Sequence, residues 1–106
     1  MISYVYLIED TIDLTYKIGV AKQPQIRVKK LQTGNSHRLK LKHVYPTQYP
    51  YRLEKLLHRK FNLYHKLNEW YDLSPYLVDT FISICKEQEN VIIIMKDNVF
   101  FGKNLK

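Results

Sequence analysis

An α+β fold follows from three observations on the sequence. Two β-branched and aromatic runs near the N-terminus are separated by a short polar segment, apolar residues recur at helical spacing further on, and 106 residues leave room for one small domain. Residues 3–9 and 14–21, joined by Asp10-Thr11-Ile12-Asp13, form the expected hairpin. Strand alternation puts Tyr4, Tyr6 and Ile8 on one face of the first run. It puts Thr15, Lys17 and Gly19 on one face of the second, and Tyr16, Ile18 and Val20 on the other.

A helix over 23–33 follows, with Pro24 in the first turn and Gly34 after the last periodic residue. Arg27 falls in its middle. Thr33-Gly34-Asn35-Ser36 reads as a turn, and 38–45 alternates as a strand with Leu39, Leu41 and His43 opposed to Lys40, Lys42 and Val44. After a loop bracketed by Pro46 and Pro50, Leu53, Leu56, Leu57, Phe61 and Tyr64 define the core stripe of a helix over 51–65. Glu54 and His58, four apart, stand together at its edge. Residues 69–73 form a short extended piece. Ser74-Pro75 then caps a third helix whose buried face is Leu77, Val78, Phe81, Ile82 and Cys85. Residues 91–95 and 99–101, around Asp97-Asn98, predict a closing β-hairpin extension.

Composition excludes several functional classes. The single cysteine, Cys85, cannot form an internal disulfide or a Cys-based zinc cluster, and it reads as a small core residue in a reducing, intracellular setting, cytoplasmic or nuclear. No window approaches the roughly 20 apolar residues of a membrane span, and the N-terminus lacks the basic segment of a signal peptide, so no membrane partner is expected. What remains is a net charge of +7. Residues 17–66 hold thirteen bases and one acid, Glu54, so the whole surplus lies in the middle of the chain. Such concentration is the footprint of phosphate binding, with Lys22, Lys29, Lys30, Arg38, Lys40 and Arg52 as the expected nucleic-acid contacts. Tyr45, Tyr49, Tyr51, Phe61 and Tyr64 are interleaved with these bases, and of them Tyr49 and Tyr51 are expected at the surface. Trp70 reads as a core plug beside Leu73 and the third helix, and His37, His43 and His65 as surface groups. A lone carboxylate among thirteen bases is either one half of a helix ion pair or a ligand for a divalent cation that bridges to a phosphate.

The succession Tyr4-Val-Tyr-Leu-Ile8, Tyr16-Lys-Ile-Gly19, Arg27, Leu31-Gln-Thr-Gly34, Leu53-Glu-Lys-Leu-Leu-His58 and Asn68-Glu-Trp-Tyr71 resembles the GIY-YIG nuclease superfamily. The match is to the compact branch whose second motif reads Lys-Ile-Gly, and it runs from about Tyr4 to Leu73. The resemblance implies a small antiparallel three-stranded sheet flanked by helices, and metal-dependent endonuclease hydrolysis of DNA with Mg²⁺ or Mn²⁺. It places Tyr6 at the first-motif tyrosine, Lys17 where the second-motif tyrosine usually stands and Arg27 on the scissile phosphate. Glu54 becomes the metal ligand, His58 completes the Glu-x-x-x-His pattern, and Glu69 takes the place of a late polar residue.

Lys17 is the departure from that pattern. A lysine acts as a base only when its pKa is strongly lowered. This leaves open whether Tyr6, Tyr16, His58 or no protein group takes the proton while Lys17 holds the phosphate or the leaving oxygen. It also leaves open a non-catalytic nucleic-acid-binding module on the same fold, and a basic face that meets an acidic protein. Sequence specificity is not readable, RNA stays open beside DNA, and targeting would come from loops, a homodimer or a separate protein.

Overall fold

The computed structural model describes residues 2–97. β1 (Ser3–Asp10) and β2 (Thr15–Ala21) form the expected antiparallel hairpin, with Tyr6 opposite Gly19 and Ile8 opposite Lys17. Asp10 closes its turn: Oδ1 accepts from the N–H groups of Ile12 at 2.9 Å and Asp13 at 3.0 Å. After α1 (Pro24–Thr33), β3 (Leu39–Thr47) returns along the other side of β1. The connection is held by Gln32, whose amide donates to the His37 carbonyl at 2.8 Å and accepts from the Leu39 N–H at 2.8 Å.

Five strands, rather than three, make the sheet. After α2 (Pro50–Lys60) and a 3₁₀ turn over 62–64, the chain forms a short ribbon of β4 (His65–Leu67) and β5 (Trp70–Tyr71). β5 pairs with β2, which gives the antiparallel order β3-β1-β2-β5-β4. Strands of two and three residues carry too little alternation to be read from sequence.

β1 is buried on both faces. Towards one side, Val5, Leu7, Tyr16 and Ile18 meet Leu53, Leu57 and Phe61 of α2 together with Val78, Phe81, Ile84, Cys85 and Ile92. Towards the other, Tyr6, Ile8 and Leu39 meet Val28 and Leu31 of α1, and Trp70. Trp70 is thus a plug on the α1 side rather than against the third helix, because it and Tyr71 point to opposite faces of β5.

The third helical region is two helices, α3 (Pro75–Asp79) and α4 (Phe81–Asp97). Ser74 caps the first, its Oγ accepting from the Leu77 N–H at 3.3 Å. The expected hairpin strand at 91–95 is the end of α4: Phe81, Cys85 and Ile92 continue one buried stripe, while Val91, Ile94 and Met95 are exposed. A run of β-branched residues costs a helix only tenths of a kcal/mol per residue, and docking against α2 outweighs that. The carboxylate of Glu89 fixes the dock to β3 by accepting from Tyr45 Oη at 2.7 Å and Thr47 Oγ1 at 2.5 Å. The other expected hairpin strand, 99–101, lies outside the described residues. Ile82 faces solvent instead of the core, and so does Tyr64, because α2 ends at Lys60.

A bulge between β1 and β3 corrects the expected faces of β3. Leu7 pairs with His43 and Ile8 with Leu41, so Lys42 is the extra residue and Leu41 and His43 point to opposite sides. Leu41 joins the α1 side, while His43 stacks on Phe81 and its Nε2 lies 2.8 Å from the Val78 carbonyl.

Gly19 is where the hairpin leaves no room for a side chain. A β-carbon there would collide with Oη and Cζ of Tyr6, whose ring is buried and cannot swing away. Gly19→Ala is expected to destabilise the fold by about 1–3 kcal/mol through overpacking. Urea unfolding should show that cost shrinking in a Tyr6→Leu background, where the opposing ring is gone.

Candidate functional site

Four elements bring the candidate residues together. Lys17, on the α1 side of β2, is 7% exposed and forms an ion pair with Glu69 at the turn between β4 and β5. Arg27 projects from the exposed face of α1. Glu54 and His58 lie one turn apart on α2, with His58 Nε2 3.7 Å from Glu54 Oε2. On its other side, His58 Nδ1 is hydrogen-bonded to the Tyr71 hydroxyl.

Glu69 and Tyr71 each feel several of these groups. The hydrogen bond from Lys17 is the main influence holding the Glu69 carboxyl below the ordinary value; the charges of Lys17, His58 and Arg27 add to it against the opposing effect of burial. Burial, then the charges of Glu69 and Glu54, push the Tyr71 phenol up, so it remains a neutral hydroxyl beside His58. Glu69 therefore stands where the β2–α1 and α2–β5 halves of the cluster meet.

Tyr6 is a core residue of β1. Only 2% of the residue is exposed, and its ring packs over Gly19 among Ile8, Leu39 and α1. Among the described residues its hydroxyl makes no side-chain hydrogen bond, and no buried side-chain polar atom lacks a partner. On the face they share, Tyr6 and Lys17 are diagonal neighbours across the β1–β2 pair. Tyr16 lies on the other side of the sheet, in the core with α2 and α4, and burial, then donation to Glu9 at 2.9 Å, pushes its phenol up to about 12.

The surrounding cations divide into groups. Lys22 and Lys30 line a depression of about 370 Å³ with Arg27, and Lys29 is exposed on the same helix. On the α2 side, Lys55, His58, Arg59, Asn62, His65 and Tyr71 line a second depression of about 580 Å³. Arg38 and Lys40 are exposed where β3 begins, at the hairpin-tip end of the sheet. Arg52 belongs to a different groove between α2 and α4, with Lys55, Arg59 and Lys96 around an apolar floor. Among the described residues, Lys17 is the only lysine or arginine in an ion pair with a carboxylate. Tyr51 is 74% exposed as expected, but Tyr49 is half-buried, with the Lys96 ammonium 5.1 Å from its ring centre.

Residues 3–87 match the T5orf172 domain. The chain belongs to the T5orf172 domain family. This is a phage-associated, nuclease-like family. Neither the curated proteins nor the solved structures include a match to the chain. Among the described residues of this T5orf172 domain, no helix is long and apolar enough to cross a membrane.

Sequence reasoning missed two contacts. Tyr71 lay in a quoted motif, yet its partner His58 is thirteen residues away and nothing local links them. His37, expected as a free surface group, has Nδ1 2.7 Å from Asp10 Oδ2 and 3.7 Å from Asp13 Oδ2. Asp10, Asp13 and His37 are also close enough together to offer one ligand atom each to a cation. In the T5orf172 domain they tie the hairpin turn to the start of β3.

The hydrogen bond to Asp10 is what chiefly raises His37, with the Asp10 and Asp13 charges adding to it against burial. Burial would raise Asp10, but the Asp13 N–H, His37 and the Ile12 N–H together bring it below the ordinary value. A raised histidine contributes its full stability below 6.5 and loses it as pH rises through its folded value. A lowered carboxyl contributes above 3.8 and loses it as pH falls through its folded value. The tie is therefore strongest between 3.8 and 6.5. Urea midpoints of the native protein should fall as pH rises above 6.5, and His37→Gln should flatten that fall.

Proposed function

We propose that this T5orf172 domain is a metal-dependent endonuclease of GIY-YIG type that hydrolyses phosphodiester bonds in DNA. The observation that carries the reading is that Lys17 is ion-paired with Glu69, whose carboxyl also feels Arg27 and His58, with Glu54 one helical turn from His58 and exposed cations around them. Hydrolysis needs a positioned water, charge neutralisation on the non-bridging oxygens, and help for the leaving oxygen. Arg27 offers a planar guanidinium to the non-bridging oxygens, and Lys17 a compact cation beside it. The Tyr6 hydroxyl orients the water. His58, fixed by Tyr71, accepts the water's proton as the new oxygen–phosphorus bond forms, and the ester bond breaks towards a leaving oxygen that takes up a proton from solvent.

Glu54 suits a divalent ion. It is half-buried and keeps a carboxylate oxygen beyond hydrogen-bond reach of His58, which fits Mg²⁺ or Mn²⁺ held by one carboxylate, waters and a substrate phosphate. When bound, such an ion supplies Lewis-acid neutralisation of the phosphate charge. The lysine at the usual tyrosine position favours a second reading, a binding module that retains the phosphate surface without hydrolysis.

Cleavage assays separate the two. Plasmid nicking in Mg²⁺ or Mn²⁺ is expected for the native protein and should fall by about 10²–10³-fold in Glu54→Gln and in Arg27→Ala. Glu54→Gln should keep its DNA affinity while Arg27→Ala loses some. Salt-sensitive binding with no product in either metal would leave the binding module as the function.

A further inference from the structure

We propose that Glu69 is a built-in competitor for the substrate phosphate: its carboxylate occupies the cation of Lys17 until a polyanion displaces it, so the site answers to nucleic acid and not to isolated small anions. The inference rests on the phosphodiester reading of the site and adds how that site is gated.

Three observations support it. Lys17 is almost wholly buried, whereas 60% of the Glu69 side chain is exposed, so the carboxylate closes over the lysine from the solvent side, the direction from which a phosphate would come. Glu69 also feels His58 and Arg27, the other cationic or potentially cationic groups of the cluster, so it stands where a bound anion would gain most. It is carried on a two-residue turn of an edge ribbon whose β4 is exposed throughout, and little packing opposes its withdrawal.

Tethering gives the carboxylate a high effective concentration at Lys17, which a single small anion in dilute solution cannot match. A nucleic acid already held by Arg27, Lys22 and Lys30 can, because its next phosphate is equally local. Glu69 thus converts an anion site into a polyanion site.

The test is equilibrium binding of a short fluorescein-labelled DNA duplex in EDTA, at fixed salt, to the native protein, Glu69→Gln, Lys17→Met and the double variant, with thermal melts of each. Glu69→Gln should bind on the order of fivefold tighter than native, and the gain should shrink to about twofold or less in the Lys17→Met background. A merely structural pair would lower Tm in Glu69→Gln and leave affinity unchanged, which overturns the proposal, as does a gain that is undiminished without Lys17. If neither native nor Glu69→Gln binds the duplex, the nucleic-acid reading of the site falls together with its gate.

Discussion

The ring of Tyr6 lies on the bare backbone of Gly19, and that close approach organises the rest of the molecule. It lets the central strand bury a large aromatic side chain under α1 while Val5 and Leu7 fill the opposite face under α2 and α4. It also fixes the register of the hairpin, because a slip of one residue would turn every side chain of β2 to the wrong face. With Tyr6 opposite Gly19, Lys17 falls opposite Ile8, on the same face and one diagonal step from the Tyr6 hydroxyl. A glycine that reads in sequence as part of a motif is, in space, the gap that admits the tyrosine.

From that hairpin the site is assembled by charge. The basic surplus is spread over α1, β3 and α2, and among the described residues most of it stands at the surface outside any ion pair with a carboxylate. The few acids near the cluster have specific partners: Glu69 holds Lys17, and Glu54 lies by His58. Tyr71 links these acids, since its phenol meets His58 and feels both carboxylates. Cations gathered on one surface repel one another, and carboxylates at their meeting point offset that repulsion.

Much of this was legible in the sequence, and the reasons differ from element to element. The hairpin, α1 and α2 carry clear periodicity with turn and proline signals, and motif order singles out Tyr6, Lys17, Arg27, Glu54 and His58 as candidates. The bulge at Lys42 was hidden because alternation continues across it in the residue types, and only pairing with β1 shows which residue is extra. The end of α4 was misread because Val91 to Met95 is rich in strand formers, whereas its helical state depends on the dock against α2 and on Glu89. The β4–β5 ribbon is too short to announce itself, and it is the element that delivers Glu69 and Tyr71. The links of Tyr71 to His58 and of Asp10 to His37 are tertiary contacts with no local signature.

Among the described residues, Asp10, Asp13 and His37 at the hairpin tip could each offer a ligand atom to a divalent cation, and Glu54 offers a single carboxylate. In the proposed function the ion goes to Glu54, and the other group is a structural tie. Electron paramagnetic resonance of Mn²⁺ titrated into the protein in the presence of a DNA duplex decides between them most directly. Glu54→Gln is expected to abolish the Mn²⁺ bound beyond what the duplex alone binds, and Asp10→Asn to leave it intact; retention in Glu54→Gln with loss in Asp10→Asn would assign the ion to the hairpin tip instead.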